Sequence, residues 1–177
     1  MARRQLSIAN SVPAGLLGGL AGTISMSKFQ NAWNEAASGE RSTFFSRPEE
    51  EPTDIVACTR IASRLTCFYR LSVSKTLLRI CGLTMHYAFG AGAGLLYGFL
   101  REAVLDETAS HSVAAVVGAL LGTTMFFAAD EIVTPMSGFK RGSLMGSRAF
   151  GVASHVVYGV ALAAVYERTR RFSGATL

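Results

Sequence analysis

Five ionisable side chains sit in or beside apolar stretches that tolerate charge poorly: Lys28, His86, Asp130, Glu131 and His155. The two histidines open matching patterns. His86 is followed by Gly90 and Tyr97, and His155 by Gly159 and Tyr166, so both read H-x3-G-x6-Y. On a helix, steps of four and eleven residues return to nearly the same face. Each copy therefore carries a His, a Gly and a Tyr on one stripe. Three chemistries compete for the histidines. A His on a small-residue stripe can hydrogen-bond across helices. It can titrate near neutral pH and couple to Asp130 as a proton or pH switch. Two facing His can also ligate haem or, with Asp130 and Glu131, a divalent metal. The metal signal is weak, because there is no H-E-x-x-H, no paired H-x3-H and no C-x-x-C. Cys58, Cys67 and Cys81 are odd in number and read as free thiols. No resident metal or cofactor is expected.

Asp130 and Glu131 end the apolar run F-F-A-A-D-E-I-V. Ionisable groups at membrane depth are costly and face a bundle interior or water. Asp130 lies about 80° around a helix from Gly122 and Glu131 about 180° from it, so Asp130 is nearer the expected packing face. It reads either as a proton acceptor or ion ligand, or as a helix-end charge paired with Lys28, Lys140 or Arg148. The glycine run G-A-G-A-G-L follows no strand and has no suitably placed acid after it, so a nucleotide-binding loop is rejected. Ser, His and Asp show no triad spacing. An enzyme is not expected.

The elements that must hold these residues are apolar and rich in small side chains. Of the 177 residues, 18 are glycine, half are apolar and only 16% are charged, against about 25% in ordinary soluble domains. The net charge of +5 flanks apolar runs instead of forming a basic patch with aromatics, so nucleic acid is not an expected partner. Four stretches approach the roughly 20 residues a bilayer core requires: 8–29, 82–100, 112–132 and 148–165. Arg3-Arg4 before the first faintly resembles an export signal, but no clean small-residue cleavage site follows, so a retained helix is expected. Residues 30–54 read as a polar loop ending in Thr53 or Asp54 as a helix N-cap. Residues 55–81 alternate Arg and Lys with Leu, Ile and Phe, and suit an amphipathic helix lying at the membrane interface. A helix packed on the protein's own core is the competing reading.

The fold class expected is thus all-α: an integral membrane bundle of four transmembrane helices plus the amphipathic one. Gly18, Gly22, Gly90, Gly94, Gly98, Gly118, Gly122 and Gly159 are the expected helix-packing positions. The first and third spans share G-x-x-x-G-T, at Gly18–Thr23 and Gly118–Thr123. With the shared His pattern, this divides the chain into two tandem helix pairs. Lys28, Asp130, Glu131, His86 and His155 then gather near one membrane face. Tyr97, Arg101, Tyr166 and Arg170 gather near the other, where Tyr side chains fit an aromatic belt, as does Trp33. Basic-residue counting favours the long loops inside, whereas Arg3-Arg4 and the basic tail favour the termini inside.

The order H-Y-A-F-G-A-G-A-G-L-L-Y-G, then F-F-A-A-D-E-I-V-T-P, then H-V-V-Y-G resembles the YagU-like family of uncharacterised bacterial inner-membrane proteins. The resemblance covers most of the chain, with residues 55–81 matching least. It implies a small multi-pass protein of the bacterial cytoplasmic membrane and no particular reaction. The function expected is structural or accessory, through glycine-mediated packing in a homo-oligomer or with other membrane-protein subunits. A proton- or ion-linked transporter or pH-responsive protein using His86, His155 and Asp130 is the alternative. A haem- or metal-binding membrane protein is a third.

Overall fold

The computed structural model describes residues 2–38, 53–69, 72–104, 109–133, 135 and 148–174. Among them the chain is all-helical: α1 Ala2–Ser38, α2 Thr53–Phe68, α3 Lys75–Val104, α4 His111–Ala128 and α5 Arg148–Gly174, with no strand. The acidic run Glu49–Glu51 and the possible Asp130 partner Lys140 lie outside the described residues.

Several expected boundaries move. α1 extends well beyond 8–29 on both sides and keeps Pro13 inside the helix. α5 continues past 165 through the charged tail, because Glu167 and Arg170 find partners there instead of facing water. α4 passes into one π-helical turn, Ala129–Val133, which carries Asp130 and Glu131. The amphipathic helix expected over 55–81 is two pieces. α2 ends at Phe68, and Lys75–Cys81 begins α3 and runs on without a break into the glycine-rich span. Ser74 starts this second helix, its Oγ accepting from the Leu77 N–H at 3.2 Å, as an N-cap does. Ser110 caps α4 the same way through Val113.

Two helices are long and apolar enough to cross a membrane: His111–Ile132, 22 residues, and Arg148–Phe172, 25 residues. The spans expected within α1 and α3 do not reach that mark, because Gly, Ser, His and Tyr dilute their Leu and Ile. Two of the four expected spans thus qualify by length and composition among the described residues.

α1 sits between α3 and α5, and α5 sits between α1 and α4, with α2 lying against the start of α3. Two ridges on α1 explain its position. A methyl added at Gly15 would lie 2.8 Å from the Gly94 carbonyl oxygen, and one at Gly19 would run into that of Gly90, both on α3. One at Gly18 would lie 2.9 Å from the Leu162 carbonyl oxygen, and one at Gly22 2.8 Å from that of Tyr158, both on α5. These backbones are in contact, which only residues without a side chain permit. α4 and α5 meet the same way, Gly118 against Gly159 and Gly122 against the His155 carbonyl. The core around these crossings is Ala14, Met26, Ala93, Tyr97, Tyr158, Leu162, Ala163 and Tyr166.

Candidate functional site

The five ionisable residues first singled out divide on burial. His86 and His155 are buried, at 6% and 7% exposed, and Asp130 is on the margin at 9%. Lys28 and Glu131 are exposed. His155 is held locally: its Nδ1 lies 3.0 Å from the Gly151 carbonyl oxygen, and its ring meets Phe126 edge-on at 5.5 Å. His86 meets the neighbouring Tyr87 ring at 5.6 Å. The two histidines occupy one layer, because the Tyr158 hydroxyl, three residues after His155, donates to the Gly90 carbonyl, four residues after His86, at 2.7 Å. Asp130 stands apart from them. α4 and α5 are antiparallel with Gly122 against His155. Eight further residues carry Asp130 about 12 Å along the axis, to the start of α5. Among the described residues no three His, Cys, Asp or Glu side chains are grouped as a metal ion requires, so the ligand set of two His with Asp130 and Glu131 is not assembled.

The opposite end of the bundle holds a denser constellation. Arg101 on α3 and Glu167 on α5 form an ion pair, Nε to Oε1 2.6 Å, with side chains 0% and 3% exposed. Beside it Arg170 meets Glu102, Nε to Oε1 2.7 Å. The Tyr166 hydroxyl donates to Glu102 Oε1 at 3.2 Å and lies 3.5 Å from the Gly98 carbonyl oxygen. Tyr97 packs edge-on against Tyr166 at 5.2 Å and donates to the Ala114 carbonyl oxygen at 3.1 Å, which ties in the start of α4. Tyr97, Arg101, Tyr166 and Arg170 do gather at one end, as their helix positions predict. They are not an interfacial belt, however, since Tyr97, Tyr166 and Arg101 are fully buried.

Local sequence accounts for this geometry. α3 and α5 run parallel, and Tyr97 and Arg101 are one turn apart on α3, as Tyr166 and Arg170 are on α5. Gly90 and Gly98 leave their carbonyl oxygens uncovered, so tyrosines on α5 reach them at two successive levels. The acids complete the cluster, and these the sequence reasoning missed. Their signal was readable as Arg101-Glu102 on one helix and Glu167 with Arg170 on the other, opposite signs at the same depth of two parallel helices. A buried guanidinium cannot lose its charge, so it requires a carboxylate. The arrangement satisfies charge and joins α3, α4 and α5. It offers no activated nucleophile.

At the other end Trp33 lies 5.8 Å from the Phe29 ring and 5.6 Å from the Phe150 ring, joining the far part of α1 to the start of α5. All eight expected packing glycines touch another helix of the same chain, Gly98 through the Tyr166 ring and the Ser11 carbonyl. Compared with protein-family models, with curated proteins and with solved structures, the chain has no match.

Proposed function

We propose that the chain is a small multi-pass membrane protein of structural or accessory type, acting without catalysis as a compact helical unit in a homo-oligomer or a larger membrane complex. The observation that carries this reading is α4. It carries no charged residue from His111 to Ala129, yet only 22% of the span it forms with the following turn is buried, and Val116, Leu120 and Phe127 are 58%, 62% and 52% exposed. A water-facing helix of that kind would be a large exposed apolar patch, which soluble proteins avoid. Leu16, Leu17 and Leu20 on α1 and Phe89, Leu96 and Phe99 on α3 extend the apolar exterior around the bundle. α1 and α3 then cross as well, their small and polar residues turned to the glycine contacts. The resemblance of its motif order to the YagU-like family is the ground for assigning it to a bacterial cytoplasmic membrane.

The reading of two tandem helix pairs is supported by register. α1 meets α3 at Gly19 and Gly90, and α4 meets α5 at Gly118 and Gly159. Shifting the first crossing by the offsets of the sequence matches, 100 residues for α1 to α4 and 69 for α3 to α5, gives 119 and 159, within one residue of the second crossing.

The test is extraction of isolated membranes with alkaline carbonate. The full chain should stay in the pellet and need detergent to leave it; release into the supernatant rejects the membrane reading. The burial of His86 and His155 in one layer keeps proton or ion linkage as a second reading. Reconstituted vesicles should then pass protons with the native chain and lose the flux in His86→Asn/His155→Asn. Absence of flux in both removes it.

A further inference from the structure

Thr23, Thr123 and Ser154 satisfy their hydroxyls in the same way. Each donates to the carbonyl oxygen four residues back, at 2.9, 2.9 and 2.8 Å, so none stands unpaired in an apolar bundle. Ser27 departs from this. It is 5% exposed, and its Oγ is buried with no hydrogen-bond partner among the described residues. Such a group is costly to leave unpaired, and in native proteins ordered water commonly meets it. The packing fixes what lies opposite. α1 meets α3 through residues four apart: Gly15 against Gly94, Gly19 against Gly90, and the Thr23 hydroxyl where a methyl on Gly90 would fall. The two helices are antiparallel. The next step along α1, Ser27, therefore comes opposite the next step back along α3, His86. His86 is 6% exposed and its Nε2 is fully buried. Ridges of this spacing cross at roughly 40–50°, so the helices part beyond the Gly19–Gly90 contact and the seam widens toward Ser27 and His86.

We infer that the α1–α3 seam binds a water molecule at Ser27, facing His86. The serine hydroxyl and the imidazole are two polar partners for it, and a helix carbonyl oxygen can be a third, which is the number a buried water needs. The imidazole has two nitrogens, so this bond adds to the contacts His86 already makes. The inference deepens the proton-linked reading above and rests on it for its use: the water gives His86 a proton-exchanging partner inside the bundle. His155 is held otherwise, with Nδ1 3.0 Å from the Gly151 carbonyl oxygen and its ring against Phe126. His86 is thereby the exchanging histidine and His155 the structural one.

The full chain, with its histidines labelled with nitrogen-15, is reconstituted in lipid bilayers and observed by solid-state NMR in which the starting magnetisation comes from water. His86→Asn and His155→Asn assign the signals, and exposed His111 is the wet reference. In the native chain the His86 ring signal should build up early and that of His155 late. Ser27→Ala should slow His86 to the rate of His155, leave His111 unchanged, and lower the detergent concentration needed for unfolding. A merely unpaired hydroxyl gives the opposite stability result, because its removal relieves a cost. A native His86 signal as slow as that of His155 overturns the inference. So does Ser27→Ala with His86 unchanged, or with the unfolding point raised. If Ser27→Ala does not insert, the native comparison of His86 with His155 decides alone. Vesicles that pass no protons while His86 keeps its early build-up fail the proton-linked reading and leave the water site standing, so the two failures are distinguishable.

Discussion

Replacing Glu167 by Gln tests what holds the bundle at its charged end. Arg101 is 0% exposed and Glu167 3%, with 2.6 Å between Nε and Oε1. At that separation the attraction is roughly 6 kcal/mol for an effective dielectric near 20. Desolvation of both groups cancels much of it, so the pair itself adds little. Removing one partner is another matter: it strands a buried charge and costs about 3–5 kcal/mol. The two single changes are not equivalent. Glu167→Gln leaves a guanidinium that stays charged, whereas Arg101→Met leaves a carboxyl that can bind a proton and become neutral. Glu167→Gln should therefore be the worse of the two. Arg101→Met/Glu167→Leu should fall within about 1 kcal/mol of the native chain or exceed it, because apolar residues of similar volume replace buried pairs well. The assay is unfolding in mixed micelles against added dodecyl sulfate, followed by circular dichroism. A Glu167→Gln cost under about 1 kcal/mol would mean the pair is solvated like a surface bridge. A double variant as unstable as Glu167→Gln would mean these side chains do something other than neutralise each other.

Four other outcomes follow from the packing. Gly19→Ala should cost about 1–3 kcal/mol by forcing α1 off the Gly90 carbonyl, whereas Gly92→Ala, with open space at that position, should stabilise α3 by up to about 1 kcal/mol; the same unfolding assay reads both. Tyr158→Phe removes the 2.7 Å bond to Gly90 and should cost about 0.5–1.5 kcal/mol, with α3 and α5 still paired. Leu120→Arg, at a position 62% exposed, should cost roughly 2.5–3.5 kcal/mol of membrane insertion if α4 faces lipid, read as a lower inserted fraction in an in vitro translocation assay. A water-facing position would tolerate it within about 0.5 kcal/mol. Under native conditions Cys67, which is exposed, should react with a bulky maleimide much faster than buried Cys58.

The helical class, the glycine contacts and the grouping of Tyr97, Arg101, Tyr166 and Arg170 were legible because each depends on helical period alone. Spacing of three, four, seven or eleven residues fixes a face whatever the partner. The partners were not legible to the same degree. The pairings cross, Arg101 to Glu167 and Glu102 to Arg170, although the matched patterns align Arg101 with Arg170. That crossing depends on the rotation of α3 against α5, which no single helix encodes. The break between α2 and α3 was equally obscure. No Pro or Gly marks residues 69–74, and Ser74 as a cap is a faint signal inside an amphipathic run. Asp130 was placed near the histidines on membrane depth, but depth near one face left an axial difference of two turns undecided.

The glycines change their role once the contacts are known. Read along the sequence, eight of them on apolar helices suggest surfaces awaiting another chain. In the fold, α1 uses one ridge against α3 and a second, three residues offset, against α5, and acts as a thin spacer between them. That thinness lets Tyr158 and Tyr166 of α5 reach carbonyl oxygens on α3 and brings Arg101 to Glu167. The small residues are thus consumed in making the bundle, and the buried ion pair depends on them. The association proposed for the chain would then have to use the large side chains left outside, such as Val116, Leu120 and Phe127 along α4. Such contacts would form between surfaces that lipid also covers well. Packing and shape, more than apolarity, would decide them.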